Sequence, residues 1–434
     1  MKNLPLDPSA PLPPFRRAID AAMVEHQGEP MLLLRDTEGI AEQAMLVSPA
    51  ALLLITLLDG KNSLSDIKAL IMKHTGAVMP ENSLAGLVGE FDKLSFLETP
   101  AVAAKRRRAA ADFKAASVRK PALAGLSYPE DPLELSKFIG SLLNEPDGPG
   151  LEFAARPVHS VPPSGLVAPH IDLARGAGVY ARTYQELSKF PPPDVIVAVG
   201  VAHAEPAAPW VFTAKSYRTP YGDMAVDMPL YNALTGGLWY DPAADEMAHK
   251  TEHSLEFQAL WLKYLWRDKA PAWVPVLVSA FERFSPDKPP RDVKSLEDGF
   301  LKMEAILAGE VSKGRRVMVL AAVDLFHVGP RFGDKADLTK EALAKLEADD
   351  KTALGHCFRL DADGFYKAAA DGGNPRHICG LSALYTATRL LRACAPQTKG
   401  RLLAYGSSPD PTGGAVSFAG AIFDGENGDD GKLD

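Results

Sequence analysis

Three apolar stretches of this sequence end on residues that can bind a metal or move a proton. PSGLVAPH closes on His170, DVIVAVGVAH closes on His203, and MVLAAVDLFHVG carries Asp324 and His327 three positions apart. Short apolar, β-branched runs read as buried strands, and in α/β sheets ligands collect beyond the carboxyl ends of strands. A fourth candidate, Cys379 in RHICGLSALY, directly precedes a predicted helix. A metal or a helix N-terminus would favour its thiolate. Two imidazoles and a thiolate suit zinc, iron or copper and leave a position open for water, oxygen or substrate. Taken singly, each histidine is more often an ordinary hydrogen-bonded residue, and a lone cysteine a small buried hydrophobe. Their recurrence at strand ends is what points to a shared site. TEHSLEFQALWLKYLW adds Glu252, His253 and Glu256 at the front of an amphipathic helix. Glu256 in a first turn would cap backbone donors, and a carboxylate there can instead orient a ligand histidine.

These residues require a sheet to bring them together. The strings PSGLVAPH, PDVIVAVGVAH, AWVPVLVSA, RRVMVLAAVD and AVSFAGAIF alternate with helical patterns around Tyr180–Phe190, Glu256–Trp266, Val293–Glu310 and Gly380–Ala395. The alternation predicts an α/β domain over 118–423 with a largely buried sheet. Neither a Gly-x-Gly-x-x-Gly fingerprint nor a Walker A loop follows the strands, which removes the main support for nucleotide chemistry. Upstream, residues 14–97 predict a small, mainly helical or winged-helix-like domain. There FRRAIDAAMVEH has a helical pattern, MLLLRD reads as a short strand, and three helices follow, one capped by Asn62 or Ser63. Residues 98–117 read as a linker or connecting helix whose basic run, Lys105 to Arg108, is a solvated face, since no aromatic residue is interleaved with it. Residues 1–13 are expected to be a flexible N-terminus and 424–434 a polar tail.

With 434 residues, 46% of them hydrophobic, the chain can fill two or three soluble cores. A net charge of −8 gives no reason to expect nucleic acid or an anionic membrane as partner. The three cysteines, Cys357, Cys379 and Cys394, are too few for a disulfide scaffold. No signal-like apolar core and no run of roughly 18 apolar residues is present, so a cytoplasmic location is expected.

Read in order, VRKPALAGLSYPEDPLEL, LVAPHID, VGVAH, KSYRTPYGD, TEHSLEF, VPVLVS, VDLFHVGPRFG, HICG, YGSSPD and GGAVSFAGAIF resemble the Memo family, which includes the AmmeMemoRadiSam system protein B. The resemblance implies a fold similar to the class III extradiol dioxygenases, which are non-haem iron enzymes. It implies one metal ion on His170, His203 and Cys379, with iron preferred and copper or zinc as alternatives. His327 would transfer a proton and Asp324 would orient it or bind a second metal or water in the same pocket, while Glu252, His253 and Glu256 would line or support it. The implied function is metal-dependent redox chemistry on an unknown substrate, with oxygen activation as one reaction it would allow. The alternatives are zinc-dependent Lewis-acid chemistry and an adaptor that binds a peptide or small molecule without turnover. A radical-SAM protein and an AMMECR1-like protein are the implied partners. The N-terminal unit is similar in pattern to winged-helix, peptide-binding domains found beside radical-SAM maturation enzymes. The chain itself lacks the three-cysteine cluster of a radical-SAM enzyme. It departs from the family pattern at Ile171 and Asp172 (often Ala-Gly), at Ala204 (often a second histidine) and at Gln258 (often histidine). Those changes leave the three expected ligands but remove neighbouring imidazoles, so substrate specificity is expected to differ.

Overall fold

The computed structural model describes residues 7–425, apart from 42, 77–79, 145–149, 151–152, 155, 287, 335–337, 372 and 411–412. Residues 1–6 of the expected flexible start and 426–434 of the expected tail lie outside the described residues. The chain divides into two compact units, Met1–Ala115 and Ala116–Asp434.

In the first unit β1 (Ile19–His26), β2 (Glu29–Asp36) and β3 (Met45–Val47) form an antiparallel sheet in that order. Four helices follow: α1 (Ala51–Leu57), α2 (Leu64–Thr75), α3 (Glu81–Lys93) and α4 (Pro100–Ala115). The helix expected over FRRAIDAAMVEH is therefore corrected to a strand. The reason is the turn: Gln27 and Gly28 both have positive φ, 54° and 82°, and the ladder pairs every residue from Ile19 opposite Asp36 to His26 opposite Glu29. Two positive-φ residues make the tight hairpin turn whose twist matches that of the strands, and the cross-strand ladder then outweighs local helical spacing. In α2 the cap falls on Ser63, which forms a reciprocal capping box with Asp66, and Gly76 ends the helix at φ 72°. A core of Leu54, Ile67, Leu84, Val88, Phe91 and Phe96 fills this unit. Arg16 is buried beside it, donating to Asp36 at 2.9 and 3.1 Å and to the Ser95 carbonyl at 2.8 Å. Part of the basic run on α4 is engaged within the unit: Arg106 pairs with Glu98 at 2.8 Å and Glu38 at 3.0 Å.

The second unit runs β4 (Val118–Arg119), α5 (Pro132–Leu143), β5 (Gly165–Ala168), α6 (Ala177–Leu187), β6 (Val195–Val201), β7 (Trp210–Phe212), β8 (Ser216–Thr219), β9 (Gly222–Met224) and α7 (Met228–Thr235). It continues with α8 (Ser254–Trp266), β10 (Trp273–Val278), α9 (Lys294–Ser312), β11 (Val317–Ala322), β12 (Asp324–Val328), α10 (Lys340–Phe358), α11 (Ala362–Ala370), α12 (Leu381–Cys394), β13 (Gly400–Pro409) and β14 (Ala415–Phe423). An eight-stranded mixed sheet is ordered β12-β14-β5-β11-β6-β10-β7, with β13 also paired to β14. Its centre, β5-β11-β6-β10, is parallel. Side-chain alternation sends Val195, Val197, Val199 and Val201 of β6 into one core with Leu296 and Phe300 of α9 and Leu384 and Leu391 of α12. Ile196 and Ala198 enter the other, with Tyr180 and Tyr184 of α6 and Leu255 and Leu260 of α8. Helices on both faces explain why the central strands are apolar throughout rather than alternating.

MVLAAVDLFHVG is not one strand. The chain leaves β11 at Ala322, turns at Val323 and resumes as β12, antiparallel to the first half of β14, while β5 pairs with the second half. The end of β5 therefore meets the beginning of β12 along β14. Gly200 has a related role: a Cβ there would lie 2.7 Å from both Leu255 and the Ser254 hydroxyl, so only glycine lets the start of α8 press onto β6. Among the described residues no helix is long and apolar enough to cross a membrane.

Candidate metal centre

The parallel strands β5, β11 and β6 are neighbours, so the residues just beyond their carboxyl ends converge. His170 follows β5 and is buried; its backbone N–H donates to Asp324 Oδ1 at 2.9 Å and its ring Nδ1 to the Ala322 carbonyl at 3.0 Å. Its Nε2 then faces Cys379 Sγ at 3.4 Å and Asp324 Oδ2 at 3.6 Å. His203, just beyond β6, keeps 39% of its side chain exposed. Its Nδ1 donates to the Glu252 carboxylate at 3.0 and 3.1 Å, and its backbone N–H to the same group at 3.1 Å. One ligand atom from each of His170, His203 and Cys379 lies within 4.8 Å of the other two.

The donor set fits a metal on chemical grounds. Carbonyl and carboxylate acceptors fix the Nδ1–H form of both imidazoles, leaving each Nε2 lone pair for coordination; such partners hold and tune ligand histidines. Burial alone would raise the Cys379 thiol, but the charges of His170 and then His327, with hydrogen bonds from His170 and His203, bring it down to about 5. Burial opposes the charged form of His170, yet Asp324 and Cys379 raise it to about 9. His203 is likewise raised, with Glu252 as the main opposing charge to its burial, and Glu252 is held well below the usual carboxylate range chiefly by His203. The metal-free site is thus a cluster of imidazolium and anionic groups, and loading a cation expels protons.

Glu252 also serves a second grouping with His203 and His253. The His253 ring stacks on His203 at 5.1 Å and 17°, and its Nδ1 lies 3.3 Å from Glu252 Oε1. The backbone N–H of Ser254, at the head of α8, donates to Glu252 at 2.9 Å. Asp324 sits against His170 as described. His327 stands at the rim, its Nδ1 donating to the Leu325 carbonyl at 3.0 Å and its ring edge-on to Phe332 at 5.2 Å. Glu256 is the residue the structure does not bring to the ligands. It is buried against Arg119, accepts from the backbone of Ala122 and Leu123 at 2.8 and 2.9 Å, and accepts from the Tyr128 hydroxyl at 2.5 Å. Of the two expected roles, lining and support, its four bonds fit the second. Its role is support: the Arg119 it holds donates to the Glu252 carbonyl at 2.8 Å.

Sequence reading missed the group that holds the Cys379 loop. Asp350 of α10 is buried and accepts from Arg376 at 2.7 Å, Tyr405 at 3.0 Å and Ser417 at 2.6 Å. The Arg376 carbonyl accepts from the His327 backbone at 2.8 Å, and the Ser417 hydroxyl accepts from that of Phe326 at 3.0 Å. One carboxylate thus ties the loop before Cys379 to β12. Its only sequence signal is an aspartate within a helical pattern, indistinguishable from a solvated residue. Gln258 donates to the Pro169 carbonyl at 2.8 Å and so steadies the residue before His170. Gly380 permits the close approach of the loop, since a Cβ there would lie 2.6 Å from the Asp324 carbonyl.

An α/β sheet with imidazole and thiolate donors gathered at its strand ends defines a candidate metal-binding protein. The model of the Memo-like protein family matches residues 119–422, and the chain belongs to that family, with an N-terminal region outside the matched domain. A MEMO1 family protein of Aquifex aeolicus is 28% identical over 90% of this chain and 95% of its own length. One of Thermus thermophilus is 30% identical over 79% of this chain and 93% of its own, and one of Desulfurococcus amylolyticus is 27% identical over 68% and 94%.

Proposed function

We propose that this protein is a metal-dependent redox enzyme that holds one iron or copper ion on His170, His203 and Cys379. The observation that carries the reading is the convergence of three donor atoms within 4.8 Å, with each imidazole's Nδ1 already committed to an acceptor. The soft thiolate favours iron, copper or zinc over magnesium or calcium, which take oxygen-rich sites. A bound iron or copper ion would supply one-electron chemistry and a coordination position for oxygen or substrate. Around it, the Ala322 carbonyl and Glu252 hold the two imidazoles and Asp324 holds the His170 backbone, while His327 at the rim would give or take a proton at substrate. A fold similar to the class III extradiol dioxygenases belongs to the same proposal, as does action alongside a radical-SAM protein and an AMMECR1-like protein.

The test is elemental analysis with electron paramagnetic resonance on protein purified without oxygen or added metal, beside His203→Ala and Cys379→Ala. About one equivalent of iron or copper, lost in both variants with the circular dichroism spectrum retained, is the expected result. One equivalent of zinc would replace redox with Lewis-acid chemistry. Full metal content in either variant would remove the assigned ligands.

A further inference from the structure

A cavity of about 250 Å³ opens beside Cys379. It is lined by Ala280 and Glu282 from the turn after β10, by Asn374 and His377 from the loop before Cys379, and by Ser382 in the first turn of α12. Glu282 is its one acidic side chain. Among the described residues no lysine or arginine pairs with it, and its Oε2 is closed off without any hydrogen-bond partner. A carboxylate offers only acceptors, and this one stands half-buried at the cavity wall with no lysine or arginine among the lining residues.

The cavity is preformed rather than a gap between mobile segments. The Phe281 N–H, next to Glu282, donates to Ser382 Oγ at 2.8 Å, fixing the Glu282 turn to α12 three residues past Cys379. Opposite, Asn374 bonds both the N–H of Ile378 at 2.9 Å and its carbonyl at 3.2 Å, and Asn374 and His377 hold positive φ values of 59° and 47°. Backbone strain of that kind persists only where surrounding structure enforces it. A carboxylate and a metal-binding thiolate therefore face one rigid space.

We infer that this cavity is a substrate pocket for a cationic group, a protonated amine or guanidinium that docks on Glu282 while another part of the same molecule reaches the metal. The inference rests on the metal-site reading given under the proposed function and adds the class of substrate. Glu282 lines the cavity, so a charged donor that enters can reach the carboxylate and make a charge-assisted hydrogen bond to it.

The test titrates the full-length protein calorimetrically with ethanolamine, agmatine and tyramine, each against its N-acetylated counterpart, in wild type, Glu282→Gln and Glu282→Asp, with metal content measured on every sample. At least one amine should bind about tenfold or more tightly than its acetylated form. That preference should vanish in Glu282→Gln and persist in part in Glu282→Asp, with metal content unchanged. Absence of any preference in wild type, or a preference that survives in Glu282→Gln, would overturn the inference. Loss of metal from Glu282→Gln would overturn it too, by making the carboxylate part of the metal's own surroundings. An amine preference in a wild-type protein that holds no metal would support the pocket and sink the metal reading alone.

Discussion

At the scale of single residues the three cysteines are chemically unlike. Burial pushes the Cys357 and Cys394 thiols up to about 12, whereas the imidazoles around Cys379 outweigh its burial and bring it down to about 5. In metal-stripped protein at pH 7 iodoacetamide should therefore modify Cys379 and leave the other two intact, with its rate falling away as pH drops below about 5. Prior loading with metal should protect it. Peptide mass spectrometry reads the result, and equal labelling of all three would remove the electrostatic account. Glu252 yields a second expectation, because it accepts from both the ring and the backbone of His203. Glu252→Gln should cost roughly 10- to 100-fold in metal affinity in a chelator competition. An unchanged affinity would mean that His203 is held without it. His170, His203 and Cys379 were legible from residue type and place in the sequence. The bonds that orient them were not, since Ala322 is 152 positions from His170.

At the scale of elements the N-terminal hairpin shows how a turn overrides local pattern. The two positive-φ residues Gln27 and Gly28 pair β1 with β2, and Asp36 at the end of β2 receives Arg16 and the backbone N–H groups of Ile40 and Ala41 at 2.7 and 2.6 Å. Burial of Asp36 favours its protonated form, but the bonds from Arg16 and from the backbone N–H groups of Ala41 and Glu38 prevail and lower its pKa. Removing Asp36 leaves the buried Arg16 with Glu38 and the Ser95 carbonyl but strips the bonds to Asp36 itself, so Asp36→Ala should destabilise this unit by about 1–3 kcal/mol in urea unfolding. The pH dependence follows from the same shift. A depressed carboxylate contributes stability that is complete above the unfolded value of about 3.9 and lost as pH falls through the lower folded value. The wild-type unit should lose that contribution in acid, and Asp36→Ala should show a flatter profile over the same window. A mutant as acid-sensitive as wild type would place the loss elsewhere.

At the scale of the whole molecule every candidate ligand, with Asp324, Glu252, His253 and His327, lies in the second unit, Ala116–Asp434. A chain lacking 1–115 should therefore keep the metal stoichiometry of the full protein by elemental analysis. Loss of metal from a folded fragment would make the first unit part of the site. The α/β class, the buried central strands and the residues placed at their ends can be read from the chain alone, because side-chain periodicity and apolar run length are local properties. The chain also carries the ordered motifs of the Memo-like family. Folding in three dimensions is what ends β11 at Ala322 and starts β12 at Asp324, turns Glu256 to Arg119 rather than to the ligands, and sets Asp350 to hold the Cys379 loop. Those outcomes depend on which strand pairs with which half of β14 and which buried donor meets which acceptor. Such pairings join residues tens to more than a hundred positions apart, and no local pattern in the chain encodes them.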